Sequence, residues 1–166
     1  EGRGEPAFST DQDNGIPFEE PGPPAVRDAA EIWLASFTAF VHDALAACGY
    51  PPCPGGNMES NPVWRQPLPA WRKYFSDCIQ DPTGKGPLHS MIFFDFRVVH
   101  GDLLLGERLP DHVVAQLAGQ RTFFNYVANQ LVRNRPPVGF FGSLLVEKSG
   151  EHKDQLNLKA RGINPL

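Results

Sequence analysis

The sequence predicts an α/β domain. Four stretches repeat apolar residues at three- and four-residue steps, as helices packed on one side require, and one stretch ending at Val99 is apolar on successive residues, as a strand covered on both faces requires. A chain of 166 residues with 41% hydrophobic content is also long enough to bury one core.

In chain order, residues 15–24 (GIPFEEPGPP) are too rich in Pro and Gly for helix and are expected to form a loop. From Val26 to Cys48, residues Trp33, Phe37, Phe40, Val41, Ala44, Leu45 and Cys48 recur with helical spacing before Gly49 and Pro51, so this helix is expected to turn that stripe into the core. Residues 53–66, rich in Pro, Gly and Asn, are expected to form a loop. Pro69 to Ile79 reads as a second helix with Trp71, Phe75, Cys78 and Ile79 inward, stopped by Pro82 and Gly84. Gly84-Lys85-Gly86 lacks phosphate-loop spacing and is read as a turn. A central strand is expected from about Leu88 to Val99, then helices over 107–119 and 120–134, the latter with Phe123, Phe124, Val127, Leu131 and Val132 inward. Leu144 to Val146 and Leu156 to Lys159 can pair as a hairpin around residues 149–154.

Chemistry concentrates in three carboxylates. In Thr10-Asp11-Gln12-Asp13-Asn14 an extended backbone puts Asp11 and Asp13 on one face, their Cα atoms roughly 6.5–7 Å apart. Two such acids repel unless a cation joins them, and hard oxygen donors suit Mg²⁺ carrying a phosphate ligand. The same residues before Gly15 also describe a solvated turn. Asp95 sits inside the strand-like run Phe93-Phe94-Asp95-Phe96-Arg97, where an ionised carboxylate needs a partner: either Arg97 on the same strand face, or a metal shared with Asp11 and Asp13. Asn57, Asn61 and Arg65 are residue types that contact phosphate or ribose, although loops of this kind also serve as plain connectors.

Composition excludes other classes. A net charge of −4 with scattered Lys and Arg argues against an extended nucleic-acid surface. No run approaches the ~20 apolar residues of a membrane span. Cys48, Cys53 and Cys78 form no C-x-x-C and have no His at ligand spacing, so they carry no zinc signature; their odd number fits reduced thiols in the cytoplasm.

Several ordered motifs together resemble a known family. Gly2-Arg3-Gly4-Glu5, Thr10 to Asn14, Cys53-Pro54-Gly55-Gly56-Asn57-Met58, Asn61 to Gln66, Ile92 to Arg97, Gly150 to Asp154 and Leu156 to Gly162 are similar to a bacterial family of nucleotidyltransferases of the polymerase-beta-type superfamily. That family is related to PII-protein uridylyltransferases and is often fused to cyclic-nucleotide-binding and CBS domains. The Gly-Ser pair that heads the superfamily's phosphate loop would precede Glu1 and is not in this sequence. The resemblance implies an α/β nucleotidyltransferase fold, a short mixed sheet backed by helices, with a catalytic core over 1–135 and a C-terminal hairpin and following segment over 136–166. It implies Asp11, Asp13 and Asp95 as catalytic metal ligands for Mg²⁺ or Mn²⁺, with Asp95 as general base. Gly2, Arg3, Gly4, Asn57, Asn61, Arg65 and Lys159 would then contact a nucleoside triphosphate. The implied reaction passes a nucleoside monophosphate to a protein hydroxyl in bacterial signalling. A nucleotide-sensing or protein-binding module without turnover is the alternative.

Overall fold

A computed structural model describes residues 10–82, 94–133, 138, 146 and 153–156. The segment of Gly2, Arg3 and Gly4, the turn at Lys85, Lys159 and most of the expected hairpin lie outside the described residues. The chain divides into two compact units, Glu1–Gly119 and Gln120–Leu166.

The first unit is built around two stretches that run side by side. Gln12 bridges Pro52 in parallel, and strand β1 (Ile16–Phe18) then pairs in parallel with strand β2 (Arg65–Pro67), Ile16 opposite Arg65 and Phe18 opposite Pro67. A parallel pair needs a long crossover. Helix α1 (Pro24–Ala47) and the following loop supply it. The result is the expected α/β class, with β1 formed inside one stretch expected to be loop and β2 begun inside another, residues 53–66, because the two segments pair with each other. Pro17 is tolerated because the ladder is two strands wide among the described residues, so a missing donor can face away from the partner.

Helix α2 (Leu68–Gln80) starts with Pro69 in its first turn, as its sequence indicates. It buries Trp71, Phe75, Cys78 and Ile79 as expected, together with Leu68. Helix α3 (Leu103–Leu117) is capped by Asp102, whose Oδ1 accepts from Leu104 N at 2.9 Å, and it packs Leu109 and Val113 into the same core as α2. Trp64, at the end of a 3₁₀ turn over Pro62–Trp64, lies 5.8 Å from Trp71 between ring centroids. Gly15 fits against this pair because a Cβ there would stand 2.8 Å from the Trp71 ring. The chain leaving Asp13 is thereby held on α2.

Two expectations fail in the first unit. In α1 the buried residues are Leu34 and Thr38, while Trp33 and Phe40 are 62% and 71% exposed. The middle of this helix is apolar nearly all round, so periodicity alone does not choose a face. Arg65 chooses it, because its guanidinium takes Glu31 and Thr38 of α1 as partners and turns that side inward. The strand expected to reach Val99 also fails over its described part: Phe94 is helical and residues 95–99 form no strand. Phe94 and Phe96 both pack on Phe75, with centroids at 5.3 Å and 6.3 Å, so aromatic packing on α2 takes the place of strand pairing.

In the second unit, helix α4 (Arg121–Arg133) buries Phe123, with Phe124 edge-on to it at 5.9 Å. Phe124 and Val132, expected inward, are 52% and 72% exposed.

Candidate functional site

The extended stretch from Asp11 to Asn14 presents two faces, as the pleat dictates. On one, carboxylate oxygens of Asp11 and Asp13 and the sulfur of Cys53 all lie within 4.8 Å of one another. On the other, Gln12 is buried and donates from Nε2 to the carbonyl oxygens of Tyr50 at 2.8 Å and His42 at 3.2 Å. Asn14 Oδ1 accepts from Glu59 N at 2.9 Å. Backbone bonds complete the attachment, Gln12 N to Pro51 O and Asn14 N to Asn57 O, each at 3.0 Å. The acids therefore sit on a segment fixed from behind.

The loop bearing Cys53 is braced internally. Cys53 N donates to Met58 Sδ at 3.3 Å, and the amide of buried Asn57 donates to Cys53 Sγ at 3.9 Å. Asn61 caps the 3₁₀ turn through Val63 N at 3.1 Å and donates to Gly56 O at 3.0 Å; Trp64 Nε1 reaches the same carbonyl at 3.0 Å. Gly56 adopts a φ of +69°, which glycine takes without strain. Arg65 is buried and spends its donors on Glu31 Oε1 at 2.8 Å and 3.2 Å, Ser60 O at 2.9 Å and Thr38 Oγ1 at 3.4 Å. In this structure Asn57, Asn61 and Arg65 thus build the loop that presents Cys53. A groove of about 220 Å³ is lined by Phe18, Arg27, Glu31 and Arg65 among others, and neither Asp11, Asp13 nor Cys53 lines it.

Among the described residues, this trio is the group whose donor atoms could hold one ion, and Asp95 stands outside it. Asp95 is half-buried in the segment joining α2 to α3. Sequence reasoning did not pair Cys53 with the acids, because a thiol joining carboxylates 40 residues upstream leaves no short-range spacing to recognise. It also passed over Glu59, whose carboxyl is fully buried with neither oxygen in a hydrogen bond of good geometry. Burial pushes that carboxyl above its ordinary range, against the opposing pull of its own N–H, His42 and Asn14.

Residues 1–85, just over half the chain, match the family described as putative nucleotidyltransferase DUF294. The chain belongs to this nucleotidyltransferase family. Residues 121–166 of this nucleotidyltransferase match the model described as putative nucleotidyltransferase substrate binding domain, so the second match begins with α4. No curated protein and no solved structure matches the chain. No described helix of this nucleotidyltransferase is long and apolar enough to cross a membrane.

Proposed function

We propose that the chain transfers a nucleoside monophosphate from a nucleoside triphosphate to an acceptor hydroxyl, with Mg²⁺ or Mn²⁺ held by Asp11 and Asp13. The observation that carries this reading is the convergence of the two carboxylates on one face of a segment pinned from the other. The donor set fits a divalent cation: two anionic oxygens close together gain most from a shared positive charge, and the hydrogen bonds behind them keep them in place. Such a cation, when bound, neutralises charge on the triphosphate during transfer.

The chain's own residues supply the rest. Asp95, outside the trio, takes the proton of the acceptor hydroxyl as general base. The Gly2-Arg3-Gly4 stretch and Lys159 contact the phosphates, and Asn57, Asn61 and Arg65 support the nucleotide by shaping the loop beside the acids. The acceptor we propose is a protein hydroxyl, as in the PII uridylyltransferases that the sequence resembles, in a signalling role. We assign acceptor binding to residues 121–166, the part of the chain that matches the substrate binding domain model. Incubation with each nucleoside triphosphate and Mg²⁺, with release of pyrophosphate as the readout, tests the reaction. Mass increments on candidate proteins identify the acceptor. Absence of pyrophosphate release in the presence of every nucleotide and acceptor, with nucleotide binding intact, would leave a sensing module in its place.

A further inference from the structure

The third donor of the trio is a thiol, and a thiol is a poor ligand for Mg²⁺. Carboxylate oxygens suit hard cations, whereas thiolate sulfur selects zinc-like ones. Here the three donor atoms already lie within 4.8 Å of one another. Donors sharing one tetrahedral ion stand roughly 3.3–3.5 Å apart, so small side-chain rotations suffice to close on it. Three protein ligands with a fourth position open is also the arrangement of reactive rather than purely structural zinc sites.

The thiol's placement is fixed by two residues of its own loop. Asn57 is 3% exposed and directs its amide at Cys53 Sγ, while Met58 Sδ accepts from the Cys53 N–H. Hydrogen bonds of this kind orient a metal ligand and hold it in register with the others. Membership of a nucleotidyltransferase family is an independent reason to expect a divalent cation at the acids. Cys53 changes which cation that place prefers.

We propose that Asp11, Asp13 and Cys53 form a mixed carboxylate–thiolate site that takes a thiophilic divalent cation, zinc above all, in competition with the hard cation of the transfer reaction. The inference rests on the reading of Asp11 and Asp13 as metal ligands and adds a second class of ion to it. Zinc bound through the thiol occupies both carboxylates and stops transfer, and a chelator or excess Mn²⁺ restores it. The sequence carries no Cys/His zinc spacing because the site recruits its sulfur from a loop 40 residues beyond the acids.

Cd²⁺ is the probe, because a cadmium–thiolate bond absorbs in the ultraviolet whether or not the enzyme turns over. The whole chain carrying Cys48→Ser, which removes an exposed thiol, is titrated with Cd²⁺. The expected result is a charge-transfer band that saturates at one equivalent, is lost on adding Cys53→Ser, shifts to about tenfold weaker binding with Asp11→Asn, and is displaced by excess Mn²⁺. A band that survives Cys53→Ser, or one whose midpoint Asp11→Asn leaves unchanged, overturns the proposal. Mn²⁺ binding that depends on the acids without any cadmium band also overturns it and leaves the transferase reading standing. A cadmium band with no Mn²⁺ binding and no transfer removes the transferase reading instead.

Discussion

The side-chain amide of Gln12 donates to the carbonyl oxygen of Tyr50 at 2.8 Å, and in doing so holds the residue between the two acids against the end of α1. The same amide reaches His42 O at 3.2 Å, from a side chain that is 3% exposed. Gln12→Leu keeps the volume and leaves both carbonyls without this donor. We expect it to cost about 1–3 kcal/mol in urea unfolding. It should also weaken Mn²⁺ binding, since Asp11 and Asp13 lose the anchor between them. Full Mn²⁺ affinity in a folded Gln12→Leu protein would show that the acids are positioned by other means.

Glu59 should depress stability at neutral pH. Its carboxyl is raised above 4.5 in the folded chain by burial, so the folded state holds this proton more tightly than the unfolded state does. Stability then falls as pH rises above about 4.5, by about 1.4 kcal/mol per pH unit until the folded-state value is passed, and is level beyond it. Glu59→Gln has no such proton to lose. Its advantage over the wild type should be absent at pH 4, grow through the mildly acidic range and persist at pH 7. Parallel stability curves for the two proteins across that range would contradict the assignment.

Arg65 is an architectural cation in this structure. Its fork holds Glu31 and Ser60, and it contacts Thr38, joining α1, the loop and β2. Lysine keeps the charge but not the fork, so Arg65→Lys should cost about 1–3 kcal/mol in chemical denaturation. Nucleotide affinity measured well below the unfolding transition distinguishes the two roles. If affinity falls while stability is unchanged, Arg65 contacts the nucleotide directly.

Asp11→Asn and Asp13→Asn should each abolish transfer and reduce Mn²⁺ affinity, with metal-free melting temperatures equal to or above that of the wild type. The sign follows from repulsion: neutralising one of two neighbouring carboxylates relieves it when no cation is bound. Loss of stability in both variants without metal would identify the acids as structural partners.

Much of the fold was legible because helix α2 advertises one apolar face, and because most of α3 falls within the helix expected over 107–119. Where α1 is apolar on several sides, the decision lay with a single buried cation on β2, and no local pattern in α1 records it. The run around Asp95 misled for a related reason: an apolar run on successive residues reads as a strand covered on both faces, yet Phe94 and Phe96 both find Phe75. For the site, alternation along Asp11 to Asn14 was enough to place two acids on one face and two amides on the other. Cys53 was not legible, since its approach depends on the parallel alignment of residues 12–18 with residues 52–67.

Asp95 separates proton transfer from metal binding. It stands outside the trio of donors and lies in the segment between α2 and α3 rather than on a strand beside Asp11. A base that acts on the acceptor hydroxyl contributes to the chemical step, typically about 10²–10⁴-fold, without being needed to hold the cation. Asp95→Asn should therefore lower kcat by a factor in that range, keep Mn²⁺ affinity near the wild-type value, and remove the acidic limb of the pH–rate profile. A shared metal site predicts a different pattern, with Mn²⁺ affinity falling and losses that fail to add when Asp95→Asn is combined with Asp13→Asn. If Asp95→Asn instead melts early and retains both the rate and the profile of the folded fraction, its carboxylate serves the fold, and the base must be sought elsewhere.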